Sequence, residues 1–403
     1  MKTKQMPGIY GGTVEYYDFG KAEPPYPRSD YIVDIRWDKR RYHLAEGDMW
    51  PITWGADDNL YGAAGDNRHS PMNFWRFVGD PVGKSPANSS VSGGLDVLTH
   101  GMTIVADVVD NLPVDPNVFA TDPRVAQRWG LKPASLLDVE GMLYFAVEAQ
   151  NYGTDPLFMR QTNIHAWIVT SCDYGKTWNR FATDKYFFTG RLASPHFIQH
   201  GRGYEDAPDG YVYAYFTGVG EDGKSYWENG DRMLLGRVPK QAILDRSAWT
   251  FFAGEQDGEA QWEADDDKAV PVFRYDKMCS ENHACYNKAI GRYLLCNYAF
   301  TDEDGCPRPN HQGVWPESAD ISQVTMYEAP NPWGPWKLFY RCDDFGAYGE
   351  YQPTFTPKWM YEDGRVMFLV SSGSWDDYNF TIQKCAIRLA GDKDFPACTR
   401  FFR

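Results

Sequence analysis

Five times along the chain a short, strongly β-prone run follows a polar and often charged cluster. The runs are Asn59–Gly62, Met142–Val147, Tyr211–Phe216, Arg292–Cys296 and Arg365–Val370. Measured at Tyr61, Tyr144, Tyr213, Tyr293 and Met367, they recur at intervals of 83, 69, 80 and 74 residues. That period is too long for a two-helix repeat and suits a four-stranded unit with generous loops. Further runs complete each unit: Phe74–Val78 in the first, Ile164–Ser171 in the second, Met233–Val238 in the third, Val324–Glu328 in the fourth and Phe380–Arg388 in the fifth. Gly, Asp and Pro turns separate them. Only short stretches are helix-like, Pro239–Ser247 being the best of them. The pattern predicts an all-β fold, a five-bladed β-propeller. Residues 1–45 form an N-terminal arm, and 46–403 form the propeller catalytic domain. The arm contains one strand, Tyr31–Ile35, suited to closing the ring by joining the last blade.

This organisation directs attention to the polar clusters, because inner strand starts converge on the axis of a propeller. Ahead of the reference strands stand Asp48, Ser194-Pro195-His196, Ser280-Glu281-Asn282-His283 and Glu350-Tyr351-Gln352. Behind them stand Asp66-Asn67-Arg68-His69, Glu148 with Asn151, Asn297, and Ser371-Ser372. The second unit offers no convincing counterpart ahead of its strand. Asp48, Asp66, Glu281 and Glu350 supply the carboxylates that an acid/base or nucleophilic pair requires in glycoside hydrolysis. There is no G-x-S-x-G nucleophile elbow and no phosphate-binding glycine loop.

Composition narrows the partners. Aromatic residues make up 16% of the chain, with 15 Trp and 26 Tyr. They suit strands and also provide flat faces for sugar rings. A net charge of −15 disfavours nucleic acid and anionic lipid and is compatible with a neutral or cationic substrate. No apolar run approaches the length of a membrane span. Eight cysteines include no C-x-x-C pair, and Cys279 and Cys285 with one His between them are a weak zinc signal. No metal ligand is assigned and no cofactor is required, although a structural Ca²⁺ on the axis remains compatible. The N-terminus lacks an apolar signal core. The chain as given therefore reads as cytoplasmic, or as secreted with its leader already removed.

Ser171-Cys172-Asp173-Tyr174-Gly175-Lys176-Thr177-Trp178 fits the S-x-D-x-G-x-T-W pattern of an Asp-box, a turn in which the Asp accepts backbone N–H bonds and the Trp packs beneath. Its role is structural, and it suggests sialidase-like propellers. A sialidase-like exo-glycosidase would need an arginine cluster, and Arg68, Arg191 and Arg292 are scattered. A non-catalytic carbohydrate-binding propeller is a further alternative.

The stretch from Gly47 to Asp66, GDMWPITWGADDNLYGAAGD, resembles the endo-D-arabinanases of glycoside hydrolase family 183, formerly a domain-of-unknown-function group. Similar matches are Leu235–Pro239 leading to Ile243–Asp245 and Trp249, Gly291–Leu295, and Tyr327–Trp336. They lie in the same order across about residues 45–375. The resemblance implies a five-bladed propeller that cleaves furanosidic α-linkages in D-arabinan with two aspartates near the start of the first blade. Asp48 and Asp66 match that catalytic pair. Trp54, His69, His196, Glu281, Asn282, Glu350, Tyr351 and Gln352 are then expected to bind an oligo- or polysaccharide substrate.

Overall fold

A computed structural model describes residues 1–7, 12–67, 70–81, 96–100, 130–152, 155, 157–158, 160–308, 321–346, 350–372 and 378–396. The protein is all-β. Among the described residues helix is confined to five single 3₁₀ turns, and no helix is long and apolar enough to cross a membrane. The helix expected over Pro239–Ser247 is absent. Strand Gly230–Pro239 runs through the proline, and two separate 3₁₀ turns follow, Lys240–Ala242 and Arg246–Ala248. The Asp245 side chain accepts from the Ser247 N–H and caps the second turn. So short a segment cannot repay helix nucleation.

Antiparallel strands form groups that follow the sequence repeat. The first is a four-stranded sheet of Ile52–Trp54, Leu60–Asn67, Ser70–Val78 and Asp96–His100. The second contains Gly130–Val139, Met142–Tyr152 and Gln161–Ser171. The third contains Pro195–Phe197, Tyr211–Val219, Gly230–Pro239 and Thr250–Gln256. The short strand Ser225–Tyr226 pairs with a strand of each of these two groups, and so merges them into one eleven-stranded sheet. The fourth is a four-stranded sheet of His283–Asn287, Arg292–Thr301, Ile321–Ala329 and Lys337–Cys342. The fifth joins Tyr351–Tyr361, Val366–Ser372 and Asn379–Leu389 to Ile32–Glu46 from the N-terminal region. That last strand pairs along Asn379–Leu389 from Glu46 to Ile32, well beyond the expected Tyr31–Ile35.

The period-two pattern decides which neighbours a strand serves. Adjacent residues point to opposite faces and enter different cores. Phe216 and Leu234 pack with Phe145, Trp167, Phe74 and Tyr61, uniting the first three groups. Tyr215 and Leu235, one residue away, pack with Leu295 and Tyr327 of the fourth. Leu294 and Met326 in turn meet Phe355, Met367 and Ile387 of the fifth. Trp359 and Phe380 of the fifth then meet Trp50, Leu60 and Phe77 of the first. The apolar contacts thus return to the group from which they started.

The Ser171–Trp178 turn lies at the end of strand Gln161–Ser171. Asp173 accepts from the Thr177 N–H at 2.9 Å and from its hydroxyl at 2.7 Å, while Trp178 packs edge-on against Phe74. The turn makes apolar contacts beneath and leaves its carboxylate largely in solvent.

Candidate functional site

A buried polar centre gathers residues from all five groups, and Asp48 is its most constrained member. Its backbone exchanges two hydrogen bonds with Gly65, both 2.9 Å. The chain reaches this bridge through Gly47 at φ +125°, where a Cβ would lie 2.5 Å from that of Ala64. Gly65 is required for a different reason: a Cβ there would fall 2.5 Å from Asp48 Oδ1. The carboxylate is 3% exposed. Lys132 Nζ donates to its Oδ2 at 3.1 Å, and the Tyr351 hydroxyl donates to the same atom at 3.1 Å. The Tyr351 ring meets Trp227 edge-on at 5.1 Å, which fixes the hydroxyl's aim.

Glu148 and Glu281 form a second acidic pair, both without exposed surface. Gln150 Nε2 donates to Glu148 Oε1 at 2.7 Å. Glu281 Oε1 accepts from Asn163 Nδ2 and from Ser194 Oγ, each at 3.1 Å, and Gln352 Nε2 donates to its Oε2. Ser194 Oγ also lies 2.9 Å from His196 Nε2. Burial raises the pKa of both glutamates, and the charge of Glu148 pushes Glu281 further upward. Burial holds His196 well below the ordinary histidine range, as a neutral imidazole. Burial first, and then the fields of Glu281, Glu228, Glu148 and Asp48, drive the Tyr298 pKa well up, and those fields tie the four acids to one neighbourhood.

The expected residues divide into three sets. Asp48, Tyr351, Gln352, Glu281 and His196 are brought together. Glu350 lies beside this set, paired with Arg41 at 2.8 Å and accepting from Ser371 at 3.3 Å, and burial raises its pKa. Asn282 and Trp54 turn elsewhere. Asn282 Nδ2 faces Cys279 Sγ and Met233 Sδ, whereas Trp54 Nε1 donates to Asp58 at the other end of its strand. His69 and the Asp66 side chain lie outside the described residues. The Asp66 backbone is placed, next to Gly65 in strand Leu60–Asn67.

Glu281 and Asn282 have no accessible surface; Glu281 lies inside the centre, and Asn282 packs away from it. The second group, expected to offer no convincing counterpart ahead of its strand, supplies Lys132 ahead of it, together with Glu148, Gln150 and Asn163. The available signal was the pair Glu148 and Gln150, two residues apart and therefore on one face at the end of an otherwise apolar strand. Cys279 and Cys285 are ordinary buried thiols: burial pushes Cys279 up to about 12 and Cys285 higher still.

The family model described as a domain of unknown function, DUF4185, matches residues 87–384, and the chain belongs to that family. No curated protein matches. Among solved structures, a Bacteroides ovatus protein provisionally named a hydrolase shares 13% identity at a TM-score of 0.48, covering 91% of this chain and 93% of that one. An endo-1,4-β-xylanase from Bacteroides thetaiotaomicron shares 12% at 0.42, covering 88% and 97%. An exo-1,5-α-L-arabinanase from a bovine ruminal metagenomic library shares 9% at 0.43, covering 87% and 95%. Likeness at this level carries no argument about chemistry.

Proposed function

We propose that the protein is a glycoside hydrolase acting on a furanosidic glycan such as D-arabinan, with Asp48 and Asp66 as its carboxylate pair. The observation that carries this reading is the setting of Asp48. A nearly buried carboxylate is held by an ammonium and a phenol at 3.1 Å each, on a backbone bridge adjacent to a second aspartate. Five strand groups with apolar cores that run from each group to the next, and from the last to the first, support a five-bladed propeller around this centre.

In that reading Asp48 acts as the anion, because Lys132 stands opposite it with a full positive charge. It activates water or attacks the anomeric carbon. Asp66 protonates the departing glycosidic oxygen. Lys132 and Tyr351 keep the Asp48 oxygens in one orientation, so that little reorganisation is left for the transition state. In the same reading Glu350, 5% exposed, accepts from sugar hydroxyls at the edge of the centre.

The test is hydrolysis of D-arabinan, L-arabinan, galactan and aryl furanosides by the wild-type chain, Asp48→Asn and Asp66→Asn, with product analysis. Each variant should lose at least about 10²–10⁴-fold in turnover while keeping its melting temperature within a few degrees. Wild-type turnover in both variants would remove the pair from catalysis. Binding of glycan without turnover by the wild-type chain would make the protein a carbohydrate-binding module instead.

A further inference from the structure

We propose that Glu148, Glu281 and His196 bind one oxygen-preferring divalent cation, calcium or manganese, within the polar centre. The three side chains come from separate elements: strand Met142–Tyr152, the segment just before His283–Asn287, and strand Pro195–Phe197. One oxygen of each carboxylate and one ring nitrogen of His196 lie within 4.8 Å of one another. A calcium ion holds its ligands at about 2.3–2.6 Å, so atoms this close can share one ion. The sequence pattern offers no such site, because the three residues are far apart in the chain.

An independent observation points to a ligand. Glu148 Oε2, Gln150 Oε1, Asn163 Oδ1, Gln352 Oε1 and His196 Nδ1 are buried acceptors or ring atoms with no hydrogen-bond partner among the described residues. Their residues are at most 2% exposed. The amide nitrogens of Gln150, Asn163 and Gln352 all donate to the two glutamates. Each amide oxygen is therefore carried on a group already anchored at the cluster. Buried acceptors are rarely left unpaired, and three amide oxygens around two adjacent carboxylates are harder to leave so.

Charge leads to the same conclusion. Lys132 is the cation whose field reaches Glu148, and it is already engaged by Asp48. Among the described residues, the other side chains hydrogen-bonded to the glutamates are neutral: Ser194, Asn163, Gln150 and Gln352. A proton shared between the carboxyls neutralises one charge and leaves the amide oxygens and the imidazole unanswered. A cation answers both charges and offers open coordination positions to those atoms. Two carboxylates, amide oxygens and no thiolate favour calcium or manganese over zinc. Ser194, against the ring nitrogen of His196 and one glutamate oxygen, orients both ligands from behind.

The test strips the full-length chain with chelator and titrates back Ca²⁺, Mn²⁺ or Zn²⁺, following bound metal and melting temperature. One equivalent of Ca²⁺ or Mn²⁺ per chain should bind and raise the melting temperature by several degrees. Glu148→Gln and Glu281→Gln should each lower affinity at least tenfold. Their metal-free forms should melt at or above the metal-free wild type, because a buried charge has been removed. No binding of either cation at millimolar concentration overturns the proposal, whether or not the variants fold. Wild-type affinity in both variants also overturns it, as does tighter binding of Zn²⁺ than of Ca²⁺ and Mn²⁺. None of these readings involves a substrate, so their failure leaves the Asp48 and Asp66 assignment standing, and the hydrolysis assays decide that assignment separately.

Discussion

Asp48 and the Glu148–Glu281 pair are buried carboxylates of one polar centre, yet their charges are met in opposite ways. Asp48 has a lysine ammonium and a tyrosine hydroxyl on the same oxygen. Among the described residues the glutamates accept from neutral amides and a serine hydroxyl, and burial pushes both toward protonation. A paired charge in low dielectric is fixed in place and ready as an anion. An unpaired one must take up a proton or a cation. The same carboxylate group is thus a compensated anion in one place and a buried demand for positive charge in the other.

Removing the cation from the compensated side should have the largest effect. Lys132→Met leaves the Asp48 charge buried without its ammonium, and should cost about 3–5 kcal/mol in urea unfolding. Adding Asp48→Asn to that variant should recover most of the loss. If Lys132→Met alone is neutral, the compensation argument fails at its strongest point. By contrast, Glu281→Gln in metal-free protein should cost little or be stabilising, and this opposite sign is the sharpest form of the comparison.

Geometry without charge is probed next. Gly65→Ala places a methyl 2.5 Å from Asp48 Oδ1, too close for the carboxylate to stay, and displacement of a reacting group by about 1 Å is worth about 10²-fold in rate. Turnover of an aryl furanoside should fall by that order with the charges unchanged, and an unaltered rate would show that the orientation of Asp48 is unimportant. Tyr351→Phe removes one hydrogen bond to a charged acceptor, about 1.5–3 kcal/mol, and should lower turnover about tenfold or somewhat more.

Away from both acids, His200 tests burial alone. It is enclosed, with Ile198 O at 3.2 Å and the Tyr293 hydroxyl at 3.3 Å, and burial lowers its pKa to about 3. The unfolded chain binds a proton near pH 6.5 and the folded chain does not. The stability contributed by the neutral ring is therefore complete above pH 6.5 and is lost as pH falls toward 3. At pH 5 the loss is about 2 kcal/mol, and His200→Gln should flatten the urea midpoint between pH 7 and 5. The smallest effect belongs to Asp173→Asn in the outer turn. Its carboxylate faces solvent, so at most about 1 kcal/mol of stability and no turnover should be lost.

The strand runs were legible because alternation has a period of two and leaves a local imprint. Tyr215 and Phe216, or Leu294 and Leu295, display it, although their allocation to different cores appears only once the sheets are packed. Asp48, His196, Glu281, Tyr351 and Gln352 were legible as polar residues at strand starts. Lys132 was not, since nothing in its surroundings along the chain marks it as the partner of a residue 84 positions away. Glu148 was legible only as one of the polar residues behind the strands and received no role, because a polar residue after an apolar strand reads equally well as its exposed end. Asn282 shows the converse: it stands beside Glu281 in the chain, but consecutive side chains point apart, and it faces a thiol and a thioether instead.

The sequence by itself determined the all-β character, the fivefold recurrence and the concentration of polar residues at strand starts. These follow from local propensity and the two-residue repeat of an extended chain. Only the tertiary structure decided which acid meets a cation and which does not. Burial and pairing of a charge depend on elements that meet across the molecule, and no local pattern records them.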